Sequence, residues 1–168
     1  MRWYNDPTKW KFIDKTLEFQ VTPKTDYWQK TSYGFCVDDG SFYYRECGGE
    51  FEVNVKLTAD YRSRYDQAGL MLRLDHENWV KTGIEFVDGI FYFSTVLTHG
   101  HSNWSLVPIK EKFESIWIKG IKRKDSFEIH YSMNGKGFQM ASLVHMPKQG
   151  DMKIGMMAAS TDGNGFVV

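Results

Sequence analysis

Residues 78 to 89, "NWVKTGIEFVDG", place Trp79, Lys81, Gly83 and Glu85 at alternate positions, with Val80, Thr82, Ile84 and Phe86 between them. Alternate residues of an extended strand share a face. One face is therefore apolar, and the other carries an indole, an ammonium, a gap and a carboxylate. An indole can cover the apolar side of a pyranose while charged groups bond its hydroxyls, so this row is suited to sugar recognition. The same carboxylate is the candidate catalytic group for glycoside hydrolysis, a reaction that needs a second carboxylate about 5 to 10 Å away. Asp66 and Glu52 can meet Glu85 only through tertiary structure, and no compact carboxylate signature is present. A simply solvated face is the competing reading, because polar outer faces are the rule in antiparallel sheets. Gly69 and Gly83, both on the outer parity, favour a groove, since glycine weakens a strand and leaves room for an approaching group.

Other chemistry-bearing residues are sparse. His99 and His101 in "THGHSNWS" offer two metal donors without a third and read as a solvated loop tip, so no metal or cofactor is expected. His76, His130 and His145 are scattered, and none forms a triad pattern with a serine. A hairpin turning at Asp39 and Gly40 would pair Cys36 with Tyr43 and not with Cys47, so both cysteines are expected as free thiols. Lys plus Arg number 21 and Asp plus Glu number 21, and this zero net charge argues against nucleic-acid or anionic-membrane partners. "YRSRYD" and "KGIKRKD" are bounded by acids and read as solvated edges. No apolar run is long enough to span a bilayer and "MRWYNDPTKWKF" is polar from the start, so a cytoplasmic location is expected.

The elements that must position these residues are strands. Aromatics make up 16% of the chain, and short alternating runs from "YGFCVD" to "MKIGMMAAS" are separated by Asp-Gly, Asn-Gly and similar turns. That pattern predicts an all-β two-sheet sandwich, and a length of 168 residues suits one domain spanning 1-168. A two-residue turn at Asp88 and Gly89 sets Glu85 opposite Tyr92, Gly83 opposite Ser94, Lys81 opposite Val96 and Trp79 opposite Thr98. A short loop at His76 to Asn78 then sets Arg73 opposite Lys81, Met71 opposite Gly83 and Gly69 opposite Glu85. Like charges directly opposed destabilise a sheet, so the two cations call for an anion. Glu85 lies about 13 Å along the strand from Lys81. That leaves Glu52, or an anionic or polyhydroxyl ligand.

"RYDQAGLMLRLDHENWVKTGIEFVDG" and "STVLTHGHSNWS", with "TDYWQKTSYGF" upstream and "YSMNGKGF" and "GMMAASTDGNGF" downstream, give the chain its resemblance. It resembles the regulator-of-enolase family, small concanavalin-A-like proteins catalogued as a domain of unknown function. The resemblance covers nearly the whole chain and implies a jelly-roll sandwich of two curved antiparallel sheets, a fold shared with legume lectins and several glycoside hydrolases. It implies neither a reaction nor a sugar, because one fold hosts many functions. Family-like positions are Asp26, Trp28, Thr31, Tyr33, Asp66 and Gln67, followed by Trp79, Lys81, Glu85, Thr98, Trp104 and Ser105. Asn103 departs from the aspartate that usually precedes Trp-Ser.

These observations together lead to a non-catalytic binding or regulatory protein that holds a polar ligand, a saccharide foremost, on a concave sheet face. Trp28, Trp79 and Trp104 are the expected walls. Arg73, Lys81, Gln67 and Glu85 are the expected hydrogen-bonding groups, with Asp66, Tyr92 and Thr98 beside them. The alternatives are a glycan-acting hydrolase using Glu85, and an interaction module that contacts a metabolic enzyme such as enolase.

Overall fold

A computed structural model describes residues 1-147 and 150-168. Among the described residues, fifteen strands and no helix are present. The first seven are β1 (Arg2–Tyr4), β2 (Trp10–Ile13), β3 (Thr16–Phe19), β4 (Tyr27–Gln29), β5 (Cys36–Asp38), β6 (Ser41–Cys47) and β7 (Phe51–Leu57). The next four, β8 (Asp66–Arg73), β9 (Asn78–Val87), β10 (Ile90–His99) and β11 (His101–Pro108), form a continuous meander. The chain ends with β12 (Ile116–Arg123), β13 (Ser126–Ser132), β14 (Gln139–His145) and β15 (Met152–Ser160). A seven-stranded sheet, β1-β6-β15-β8-β9-β10-β11, packs on a four-stranded sheet, β14-β13-β12-β7. The hairpins β2-β3 and β4-β5 complete a concanavalin-A-like jelly-roll sandwich of two antiparallel sheets. No described helix is long and apolar enough to cross a membrane.

The core follows the strand parity. Leu70, Leu72, Val80, Ile84 and Phe93 of the large sheet meet Leu57, Ile116, Ile118, Phe127 and Ile129 of the small one. Thr82 sits among them without cost because its hydroxyl donates to the Ser94 carbonyl at 3.0 Å and lies 3.0 Å from the Thr95 hydroxyl.

The β9-β10 register is the expected one, from Phe86 opposite Phe91 to Trp79 opposite Thr98. Asp88 and Gly89 take φ of 49° and 84°, the paired left-handed geometry of a tight hairpin. The β8-β9 register corrects the expectation by two residues. Arg73 faces Trp79, Met71 faces Lys81, Gly69 faces Gly83 and Gln67 faces Glu85. The cause is Asp75, which is drawn into the turn, where its Oδ1 accepts the backbone N–H groups of Glu77 and Asn78, both at 2.8 Å. A slip of two preserves side-chain parity, so each residue keeps its face while changing its neighbour.

Two further expectations are corrected. β5 pairs with β4, and β6 pairs with β1 and β15, so Cys36 stands opposite Gln29 and not Tyr43. Glu52 lies on β7 of the other sheet, 3.5 Å from Lys119, and compensates nothing near Lys81.

The outer face of the large sheet is roofed over part of its extent. The β4-β5 hairpin lays Tyr27 and Trp28 onto Phe42, Tyr44, Met71, Trp79, Val96 and Met157 in a second apolar cluster. The Tyr27 hydroxyl donates to the Gly40 carbonyl, and the Gln29 N–H donates to Ser102 Oγ at 2.9 Å. Arg73 grips Asp38 through two hydrogen bonds of 2.5 and 2.6 Å, with its guanidinium 4.7 Å from the Tyr4 ring centroid. This bidentate pairing satisfies the buried cation that would otherwise face the sheet unpaired.

Candidate functional site

Beside the roof, the same face opens into a solvent-facing cleft. Its polar floor is Gln67 from β8, Lys81 and Glu85 from β9, and Asp26 from the segment entering β4. Trp28 and Tyr33 from the β4-β5 hairpin, Tyr65 before β8 and Trp104 from β11 are its walls, and Val96 and Thr161 also line it. The walls brace one another edge to face. Trp28 lies 6.5 Å from Trp104 and 5.7 Å from Tyr33, and Tyr65 lies 6.1 Å from Trp104, centroid to centroid. Tyr33 is carried by a hairpin tip in which Lys30, Ser32 and Gly34 all have left-handed φ. Trp28 is fixed by its indole N–H, which donates to the Thr31 carbonyl at 2.9 Å.

Charge on the floor is unevenly matched. Lys81 Nζ lies 3.0 Å from Asp26 Oδ1, which also accepts Gln67 Nε2 at 3.1 Å and the Tyr27 N–H at 2.7 Å. Glu85 is only 5% exposed, and its Oε2 accepts the Trp104 indole N–H at 2.9 Å. That indole is shared with Ser94 Oγ at 3.2 Å. Glu85 forms no ion pair among the described residues. Burial raises the Glu85 carboxyl above its ordinary value, while Lys81 and the hydrogen bonds from Ser94 and Trp104 pull it down without cancelling the rise.

The two outer glycines have a different cause from the expected vacancy. A Cβ on Gly69 would lie 1.9 Å from the Thr82 carbonyl oxygen, and one on Gly83 would lie 2.2 Å from that of Ala68. β8 and β9 thus approach too closely here for any side chain. Gly83 also borders a narrow recess beside Glu85, together with Gln67, Lys81 and Ser94.

Of the residues expected at the site, Trp28, Gln67, Lys81, Glu85 and Trp104 converge on the cleft. The others stand elsewhere. Trp79 is fully buried beneath Tyr27, with ring centroids 6.1 Å apart, and its indole donates to the His76 carbonyl at 3.2 Å. Thr98 is fully buried, its hydroxyl 2.8 Å from that of Ser102. Arg73 is clamped to Asp38 under the roof. Asp66 is a buried tie, accepting Ser160 Oγ at 2.6 Å and the backbone N–H groups of Arg62 and Ser63 at 2.9 and 2.8 Å. Tyr92 is half-buried opposite Glu85 but does not line the cleft. His99 engages Asn78 Oδ1 and the His145 carbonyl, both at 3.1 Å, so its ring links the large sheet to β14 of the small one.

Tyr65 and Thr161 are members that the residue pattern did not single out, and no local signal marks them, whereas Ser94, set opposite Gly83 by the hairpin register, borders the recess beside Glu85. Asp26 and Tyr33 were marked only by family resemblance. The need for an anion beside Lys81 is the chemical signal for Asp26.

Fold and cleft together define the class, a concanavalin-A-like jelly roll with an aromatic-walled, acid-floored cleft on one outer sheet face. The chain belongs to the family described as "Protein of unknown function (DUF1349)", which matches residues 3–168. It is 33% identical over 166 residues to "Regulation of enolase protein 1" of Saccharomyces cerevisiae, covering 99% of this chain and 84% of that protein. The crystal structure of a functionally unknown protein from Saccharomyces cerevisiae matches with a TM-score of 0.95 at 32% identity, covering 99% of this chain and 90% of that one. Xylan β-1,4-xylosidase from Bacillus halodurans C-125 matches with a TM-score of 0.65 at 15% identity, covering 90% of this chain and 31% of that one. At that identity the likeness is one of fold.

Proposed function

We propose that this is a non-catalytic binding or regulatory protein whose cleft holds a small hydroxyl-rich ligand, a saccharide foremost. The observation that carries the reading is Glu85. A buried carboxylate that forms no ion pair among the described residues, at the foot of four aromatic side chains, is a charged group that a ligand can answer. Lys81 and Gln67 hold Asp26 in place and leave further N–H donors for hydroxyls. The relative named for regulation of enolase supports a regulatory role in general terms. The test is a thermal-shift screen against monosaccharides, with Lys81→Met and Trp104→Ala beside the unaltered protein. A ligand should raise the Tm of the unaltered protein and lose that effect in both variants. Equal shifts in all three would remove the cleft from consideration.

A second reading, a glycan-acting hydrolase, is favoured by one feature: the carboxyl of Glu85 is raised while nearby Asp26 is ion-paired. That division suits an acid and an ionised partner. Against it, Asp26 Oδ1 is already committed to three donors, which weakens it as a nucleophile. Turnover of a chromogenic glycoside, abolished by Glu85→Gln, would establish the hydrolase.

A further inference from the structure

The expected excess of positive charge on this sheet face is reversed in the folded protein. Arg73 is neutralised by Asp38, and Lys81 by Asp26 at 3.0 Å. At the rim, Arg64 pairs with Asp88 at 3.1 Å and Lys30 with Glu77 at 3.9 Å. Among the described residues lining the cleft, Glu85 is the charged group without an ion pair. Facing it are Gln67 from β8, Ser94 from β10, Trp104 from β11, Lys81 from its own strand and Asp26 from the segment before β4.

An anionic ligand would therefore meet an acid and no free cation. A neutral polyol would use the aromatic walls and leave the charge unanswered. An ammonium group answers both features, because aromatic faces attract cations through their quadrupoles and a desolvated carboxylate is strongly paired by an N–H donor. We propose that the ligand carries a protonated amine on a hydroxylated carbon frame, as in an amino sugar, with the ammonium at the Glu85 carboxylate and the apolar side of the frame along Trp28 and Trp104. This rests on the cleft being a ligand site and adds the sign of the ligand's charge.

Direct calorimetric titration with glucosamine, glucose, N-acetylglucosamine and glucuronate near neutral pH separates the two claims. Glucosamine should bind about tenfold more tightly than glucose or N-acetylglucosamine, and glucuronate most weakly. In Glu85→Gln, a substitution of the same shape, the glucosamine-to-glucose ratio should fall to about one. If glucose binds as well as glucosamine, or glucuronate binds best, the charge assignment is overturned while the cleft remains a sugar site. If none of the four binds, both claims fall together.

Discussion

The indole nitrogen of Trp104 lies 2.9 Å from Glu85 Oε2, joining an aromatic on the sheet's edge strand to the buried acid two strands further in. One side chain thus serves as both wall of the cleft and hydrogen-bond donor to its floor. Trp104 is 37% exposed and the acid 5%, so the contact links the cleft's mouth to its buried floor.

Trp104→Phe keeps a ring in the wall and removes that donor. Loss of a partner to a buried charged group should cost about 1 to 3 kcal/mol, measurable as a lower denaturant midpoint at unchanged slope. The Glu85 carboxyl should also titrate higher, because a hydrogen bond that holds it down has gone. A variant with wild-type stability and titration would show that the contact carries no weight.

Glu85 should make the protein's stability depend on pH in a sense opposite to that of most carboxylates. Its folded pKa is raised above the ordinary value, so the native state holds the proton more tightly than the unfolded chain. Stability from this group is complete below the unfolded pKa and is lost as pH rises through the folded one. Glu85→Gln should therefore raise Tm at neutral and alkaline pH. The gain should shrink to nothing as the solution is acidified below the ordinary carboxylate range. A gain that is constant across pH would contradict the burial account.

Arg73 and Asp38 offer a test of the roof. Arg73→Met leaves Asp38 unpaired beneath the hairpin and should cost about 3 to 5 kcal/mol, whereas adding Asp38→Leu should recover much of that loss. Urea denaturation of the two single variants and the double variant gives the coupling directly. Simple additivity would mean that the pair does not hold β5 to the sheet.

The legible and illegible parts of the fold differ in kind. The Asp88-Gly89 turn specified β9 against β10 residue by residue, because a tight hairpin admits few registers. Parity alone, which fixes a register only to the nearest two residues, could not distinguish Arg73 from Met71 as the neighbour of Lys81. The deciding contribution came from Asp75, whose role in the turn has no hydrophobic signature. β11 passed for a loop because most of its side chains are exposed on this edge strand, blurring the alternation that marks a half-buried strand. Trp79 was misplaced for another reason. An outward aromatic on a strand reads the same whether water or another element covers it, and its cover, Tyr27, is distant in the chain. Lys81, Glu85, Gln67, Trp28 and Trp104 were legible as neighbours on the cleft lining because each combines outer parity or family resemblance with a side chain suited to hydroxyl or ring contacts.

The roof hairpin has a consequence for the order of assembly. β8 to β11 close through consecutive turns, whereas β4-β5 reaches that meander through contacts separated by 35 residues (Arg73 with Asp38), 55 (Lys81 with Asp26) and 73 (Gln29 with Ser102). Distant contacts bear the larger loop-closure entropy, so the meander should form first and the roof dock onto it. Native-state amide exchange would register this as earlier exchange at Gln29 than at the central β9 amides, through openings smaller than global unfolding. In such an opening Trp28 and Asp26 leave together, taking one wall and the counter-ion of Lys81 with them. Ligand capture and docking of the hairpin would then be one event, and a ligand would act as the final piece of the fold.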